Sequence, residues 1–469
     1  MEPAPHRLRL SHRRVLQHAA MRTALALALA MVGSPVHALG PEPGQSAARA
    51  LVSDRADADQ ATPQAGGAPS SARLLSCSAA GASGPAAVSG DTEIILQCSL
   101  SAPESGSLLV VANTALGWHD AAYTAHLGIG VDAPEPDPAV DRWVSVEAPE
   151  ESGRSVPLSL FRPVPAGEHT VFLLARCVDG EGTPSFLAPV LSAVYVPAAT
   201  GSVAMHGAAS NMTWTSATSA FTTVREVSFT APESGWVIPQ SDGLLTLSDL
   251  PYEAHLAFSL DGMAADPAVD RWADVYDGTP GCAGEPFALV SAIPVSEGEH
   301  TIRLLARRHS GDGTIRLCDP TLSLLYVPSP CPAAVLNAAI GNLTWSSSAD
   351  GWQEVRSSAM VGSDGRWSLV LANASVALAD EPYTVALALA VDGLDPLGDT
   401  ERTVHVWEDS GDGSDRSVSL AAMLPLPPGK HTIHLLARRL AGEGTVRLYD
   451  PSLVVVQPGI EGFLPFMAR

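Results

Sequence analysis

Three histidines stand at equal intervals in this chain. The offsets are 300 − 169 = 131 from His169 to His300 and 431 − 300 = 131 from His300 to His431. Imidazole is the side chain that most readily serves as general base or metal ligand near neutral pH. Each of these follows a turn (Gly167-Glu168, Gly298-Glu299, Gly429-Lys430) and falls on the core side of the stretch His-Thr-x-x-Leu-Leu-Ala-Arg, which ends at Arg176, Arg307 and Arg438. No second histidine or acidic residue recurs beside all three at ligand spacing, so the expectation is a structural imidazole serving backbone groups, with the three arginines structural as well. His126 and His255 fall on the opposite side of their strand and become Ala386 in the third copy. That replacement argues against a role shared by every copy.

A second constellation keeps its spacing. Asp120, Asp249 and Asp380 lie three residues before Tyr123, Tyr252 and Tyr383. Asp132, Asp261 and Asp392 follow the tyrosines by nine residues, and Arg142, Arg271 and Arg402 by nineteen. Carboxylates on loops can gather a hard cation such as Ca2+, which takes several oxygen ligands. They can equally close turns through their own hydrogen bonds and pair with the arginines, and this structural reading is preferred for the tyrosines and aspartates. The acidic loop Glu408–Asp415 offers Asp409, Asp412 and Asp415 as the best single Ca2+ ligands. It lacks the Asp-x-Asp-x-Asp-Gly spacing and has no copy elsewhere.

Trp143 and Trp272 alternate against core positions and should lie off the core face, where an indole can stack on a sugar or a peptide. Trp118, Trp236, Trp367 and Trp407 would extend such a platform or seal contacts between copies, and Thr403 replaces the indole in the third. Among local catalytic patterns there is no Gly-x-Ser-x-Gly, no His-Glu-x-x-His, no phosphate-binding Gly-rich loop with Lys and no cysteine zinc cluster. The expectation is a non-enzymatic protein. A secreted hydrolase is the distant alternative, because glycosidase carboxylates need no local motif.

The elements that must position these residues are strands. Tyr123, Ala125, Leu127, Ile129 and Val131 share one face, as do Tyr252 to Leu260 and Tyr383 to Val391 at every second residue. This period of two fits a half-buried strand. Asp-Gly pairs at 261–262 and 392–393 end two of them. Leu174, Leu305 and Leu436 fall on the other face of the His-containing stretch and imply that it is covered too. Gly180-Glu-Gly182, Gly311-Asp-Gly313 and Gly442-Glu-Gly444 read as hairpin loops. Pro189, Pro320 and Pro451 then interrupt the returning strand, which should bend there or sit at an edge. About eight short strands per copy with no convincing helix give an all-β chain of three tandem antiparallel β-sandwiches, jelly-roll or immunoglobulin-like. Their spans are 73–198, 199–330 and 331–458, with a C-terminal tail over 459–469.

Ahead of them, residues 1–38 read as a secretory signal peptide whose apolar core follows Met21, an alternative start, and 39–72 as a flexible linker. The 469 residues exceed one core, and 46% hydrophobic content suffices for several. Fifty acidic against 27 basic residues give −23, which excludes a nucleic-acid partner because phosphate binding needs positive surface. No stretch of the expected mature chain is long and apolar enough to span a bilayer. Export makes disulfides available to the six cysteines. Cys282 and Cys318 are both replaced in the third copy and are paired on that ground; Cys77 and Cys98 would staple the first. The chain is thus expected to be secreted, or held in the periplasm or envelope, as a binding module for carbohydrate or a surface protein, or as a structural spacer.

Overall fold

The computed structural model describes residues 76–80, 90–147, 153–197, 204–206, 212–266, 270–275, 284–328, 335–337, 344–362, 367–378, 380–406 and 416–456. It is built of antiparallel sheets that pair into three sandwiches. In the first, one sheet runs Ser76–Ala80, Ser185–Pro197, Gly106–Gly117, Arg154–Val164 from edge to edge. The other runs Glu93–Ala102, Gly167–Gly180, Tyr123–Val131, Asp141–Val146. Strands 1, 8, 3, 6 on one sheet and 2, 7, 4, 5 on the other make the jelly-roll order rather than the immunoglobulin one.

The second sandwich repeats this with some strands split. Around Gly235–Leu245 lie Ser323–Pro328 and Ile315–Cys318 on one side, flanked by Ala204–His206 and Thr213–Ser216, and Glu285–Val290 with Ile293–Val295 on the other. Its facing sheet is Thr222–Ala231, Gly298–Gly311, Tyr252–Leu260, Asp270–Val275. In the third, Val335–Asn337 and Thr344–Ser347 border Val446–Val456, followed by Trp367–Ala377 and Arg416–Pro425; the facing sheet is Gln353–Gly362, Gly429–Gly442, Tyr383–Val391, Arg402–Val406. One three-residue 3-10 turn, Gly398–Thr400, is the only helical element among the described residues.

Each sandwich has its own core between its two sheets, and the alternating tyrosine strands supply it as expected: Tyr123, Ala125, Leu127 and Ile129 all lie in the first. Leu174, Leu305 and Leu436 are fully buried on the second face of the His-containing strands. A fourth core was not anticipated. Leu109, Val111 and Phe161 of the first unit meet Ile238, Val290 and Leu325 of the second and Leu369, Met423 and Val454 of the third in one apolar cluster. The sheets containing them, here called inner, are therefore buried on both faces, which is why Gly106–Gly117 reads as a near-continuous apolar run instead of alternating. Burying a side chain of this size contributes roughly 1.5–3 kcal/mol, so the central cluster binds the three units into one body.

The prolines of the returning strand bend it, as expected, but not at an edge. Ala188, Asp319 and Asp450, each just before its proline, take the left-handed conformation (φ 44, 48 and 44°). The bulge lets proline's missing N–H fall inside the sheet: Ser185–Pro197 lies between two hydrogen-bonded neighbours. Gly180, Gly311 and Gly442 end the His-containing strands at φ 97, 79 and 85°. A Cβ at these points would lie 2.3 to 2.6 Å from the carbonyl oxygen of residue 122, 251 or 382.

Candidate functional site

The repeated histidines are anchors. His169, His300 and His431 place Nδ1 at 2.8, 2.7 and 2.7 Å from Oδ2 of Asp132, Asp261 and Asp392. Nε2 lies 2.9, 2.9 and 2.8 Å from the carbonyls of Pro165, Ser296 and Pro427. The other oxygen of each aspartate accepts the backbone N–H of Thr170, Thr301 or Thr432. The absence of a constant acidic neighbour, inferred from local spacing, is thus corrected. The partner is constant but lies 37 to 39 residues upstream, at a turn whose positive φ (63, 53 and 57°) aims its carboxylate back. With acceptors at both ring nitrogens, only the imidazolium can donate twice. Burial opposes protonation of His169 and His300, yet the carbonyl and carboxylate outweigh it and raise both; at His431 the Asp392 hydrogen bond leads and the direction is the same.

The Asp–Tyr–Asp–Arg constellation does not converge. Asp120 accepts from the backbone N–H and hydroxyl of Thr183, and Asp249 and Asp380 do the same with Thr314 and Thr445, closing the loop before each tyrosine on the far hairpin. The Thr183 N–H in particular holds Asp120 down at about 2. Tyr123, Tyr252 and Tyr383 are buried, their hydroxyls donating to the carbonyls of Gly117, Thr246 and Ala377. The recurring aspartates close turns, but Arg142, Arg271 and Arg402 do not pair with them: the arginines leave their own units.

Arg142, Arg271 and Arg402 are buried to within 1% of complete, and each reaches into the next sandwich. Arg142 bonds Asp242 of the second unit, Arg271 bonds Asn373 of the third, and Arg402 Nε donates to Asn113 Oδ1 of the first at 2.9 Å. Positions 113, 242 and 373 are equivalent, so the three contacts form a closed head-to-tail ring inside one chain. Asn113 also donates to the Ser419 carbonyl at 2.7 Å and Asn373 to that of Ala288 at 3.2 Å. A cavity of about 30 Å3 lies where the units meet, lined by Ser159, Gln240, Asp242, Asn373 and Ser419 among others. It has room for a water or two and not for an organic substrate.

The solvent-side faces of the outer sheets carry the arrangement best suited to contact a ligand. Strand register puts three positions in one row across three strands: Arg176–His126–Trp143 in the first unit, Arg307–His255–Trp272 in the second, Arg438–Ala386–Thr403 in the third. Where histidine is present, Arg Nε donates to its Nδ1 at 3.1 Å in both units. Nδ1 must therefore accept, Nε2 carries the hydrogen, and it donates to Asp141 at 3.0 Å or Asp270 at 2.7 Å. With both nitrogens committed, these imidazoles have no lone pair left for a metal or a substrate proton. The tryptophans lie off the core face, as expected, and are half-buried there. Trp143 lies 4.7 Å from the His126 ring, with the Arg176 guanidinium 5.9 Å from its centre. Trp272 stacks on His255 at 4.4 Å and meets the edge of His309 at 4.0 Å, so imidazoles flank it more closely.

The third unit has lost the set together. With alanine at 386 and threonine at 403, Arg438 turns to Glu401 at 3.2 Å and to the face of Trp352 at 4.4 Å. Arg176, Arg307 and Arg438 are thus half-exposed side chains on aromatic faces. Asp141 and Asp270 went unnoticed in the sequence. The signal was there: Asp-Arg-Trp occurs twice and becomes Glu-Arg-Thr in the copy that lacks the histidine. Of the other tryptophans, Trp118 packs on the first core and Trp236 on the central cluster. The side chains of Trp367 and Trp407 lie outside the described residues, as do Asp409, Asp412 and Asp415.

Cys98 and Cys318 are disulfide-bonded and Cys177 is a free thiol. No cysteine pair is complete among the described residues; Cys282, Cys331 and the side chain of Cys77 lie outside them. No helix among them is long and apolar enough to cross a membrane.

No protein-family model matches the chain, and no curated protein matches it. Solved structures similar to it include that of infectious bursal disease virus Gx strain, at 9% identity over 82% of this chain and 80% of that one, with a TM-score of 0.18. Dimeric latent PorU from Porphyromonas gingivalis follows at 10% identity over 76% and 33%, with a TM-score of 0.18. The lipid-containing bacteriophage PM2 gives 10% over 77% and 99%, with a TM-score of 0.15. Likeness at this level carries no functional meaning.

Proposed function

We propose that this is an exported, non-enzymatic binding protein whose outer sheets contact carbohydrate on a cell surface or in the surrounding matrix. The observation that carries the reading is Trp143, a half-buried indole on a solvent-side face, backed by a rigid Arg176–His126–Asp141 support and copied at Trp272. An aromatic ring fixed in this way gives stacking area at little conformational cost. The disulfide-bonded Cys98 and Cys318 suit an oxidising compartment outside the cytoplasm. The net charge of −23 favours neutral or sparsely charged glycans over polyanions.

Binding of the intact protein to a glycan array, reduced by Trp143→Ala and further by Trp143→Ala with Trp272→Ala, is the expected result. The ring of buried arginines favours a second reading, a rigid spacer, because it ties the units together without serving any exposed surface. An intact protein that bound no glycan on the array would put the spacer ahead.

A further inference from the structure

We propose that Arg176 and Arg307 each anchor the carboxylate of an acidic sugar residue set against Trp143 or Trp272, which rests on the carbohydrate reading above and names its ligand class. In both units Nε is pinned to a histidine that is itself pinned to an aspartate, so the guanidinium is held in place before any ligand arrives. Its terminal NH1 and NH2 groups make no hydrogen bond to any described residue, although both side chains are half-buried. In the second unit the guanidinium also lies 4.6 Å over the Phe221 ring, a further contact that holds it in place. A planar fork of donors, oriented and without a partner among the described residues, matches a carboxylate bidentately. The indole two strands away in the same row supplies the apolar face that a pyranose ring needs. Repulsion from a chain of charge −23 selects one carboxylate on an otherwise neutral sugar over a run of anions. The third unit is a built-in control, because Glu401 already occupies the Arg438 guanidinium.

The test is calorimetric titration of the full chain with methyl glucuronide and with methyl glucoside at matched ionic strength. The glucuronide should bind about tenfold more tightly or better, as expected for a charge-assisted pair, with two sites per chain. Arg176→Gln and Arg307→Gln should each remove one site, and Arg438→Gln none. Acetate should displace the glucuronide from the unmutated protein and leave glucoside binding unchanged, a readout that does not depend on any variant folding. Equal affinity for the two sugars, or a preference that survives the double Arg variant, would overturn the carboxylate anchor and leave the carbohydrate reading intact. If neither sugar bound at tens of millimolar, the carbohydrate reading would fall and the anchor with it.

Discussion

The ring of buried arginines contains its own calibration, because two of its acceptors are asparagines and one is Asp242. Replacing Arg142 with Met would strand the carboxylate of Asp242, a residue 2% exposed, with the Ser159 hydroxyl as its remaining donor among the described residues. Breaking a buried ion pair from one side costs about 3–5 kcal/mol. Arg402→Met should cost less, about 1–3 kcal/mol, because every acceptor that loses a donor is neutral: Asn113 Oδ1, which Ser155 Oγ still approaches at 3.5 Å, and the carbonyls of Asn113 and Glu401. Part of that loss is offset, since burial holds the Arg402 guanidinium down at about 10 with no carboxylate to compensate. Asp242→Asn should cost within about 1 kcal/mol. It gives the second unit the acceptor that Arg271 and Arg402 already use, together with an amide able to reach the neighbouring carbonyl as Asn113 and Asn373 do. Urea titrations followed by tryptophan fluorescence should therefore rank the midpoints wild type and Asp242→Asn highest, then Arg402→Met, then Arg142→Met. If Asp242→Asn were as damaging as Arg142→Met, hydrogen-bond geometry would not be what holds the units, and charge pairing would be.

Three further outcomes follow from the same contacts. The pKa values of His169, His300 and His431 are raised in the folded state, so their stabilisation is fully present below the ordinary histidine value of about 6.5 and is lost as pH rises through the raised values; the melting temperature should fall from pH 6 towards pH 9, and less steeply in His300→Gln, whereas a flat profile would refute the doubly donating imidazolium. Peptide mapping under non-reducing conditions should recover Cys77–Cys98 and Cys282–Cys318 linkages, with Cys177 alkylated in the native protein; a Cys318–Cys331 peptide would refute the second pairing. The third unit expressed alone, residues 331–458, should aggregate, because Leu369, Leu371, Met423 and Val454 would lose the apolar partners that the other two units supply; a soluble, sharply melting single unit would contradict the shared central core.

Much of this molecule is written locally. Strand alternation at Tyr123–Val131 and its copies, glycine pairs at the hairpins and an interval of 131 residues are features of neighbouring side chains and chain geometry, so the sequence alone determined an all-β chain of repeated sandwiches and which face of the tyrosine strands forms the core. The same locality explains the errors. His169 meets Asp132 only because two loops converge, and the register of three strands, not any motif, sets Arg176, His126 and Trp143 in one row. Farther still, Arg402 finds Asn113 at a separation of 289 residues. Contacts of that kind depend on closing the ring of units, whose driving force is apolar area on the inner sheets that no periodicity distinguishes from an ordinary core. Tertiary structure alone decided that those sheets are covered twice, that the recurring arginines are rivets between units, and that two copies out of three keep a tryptophan on a prepared support.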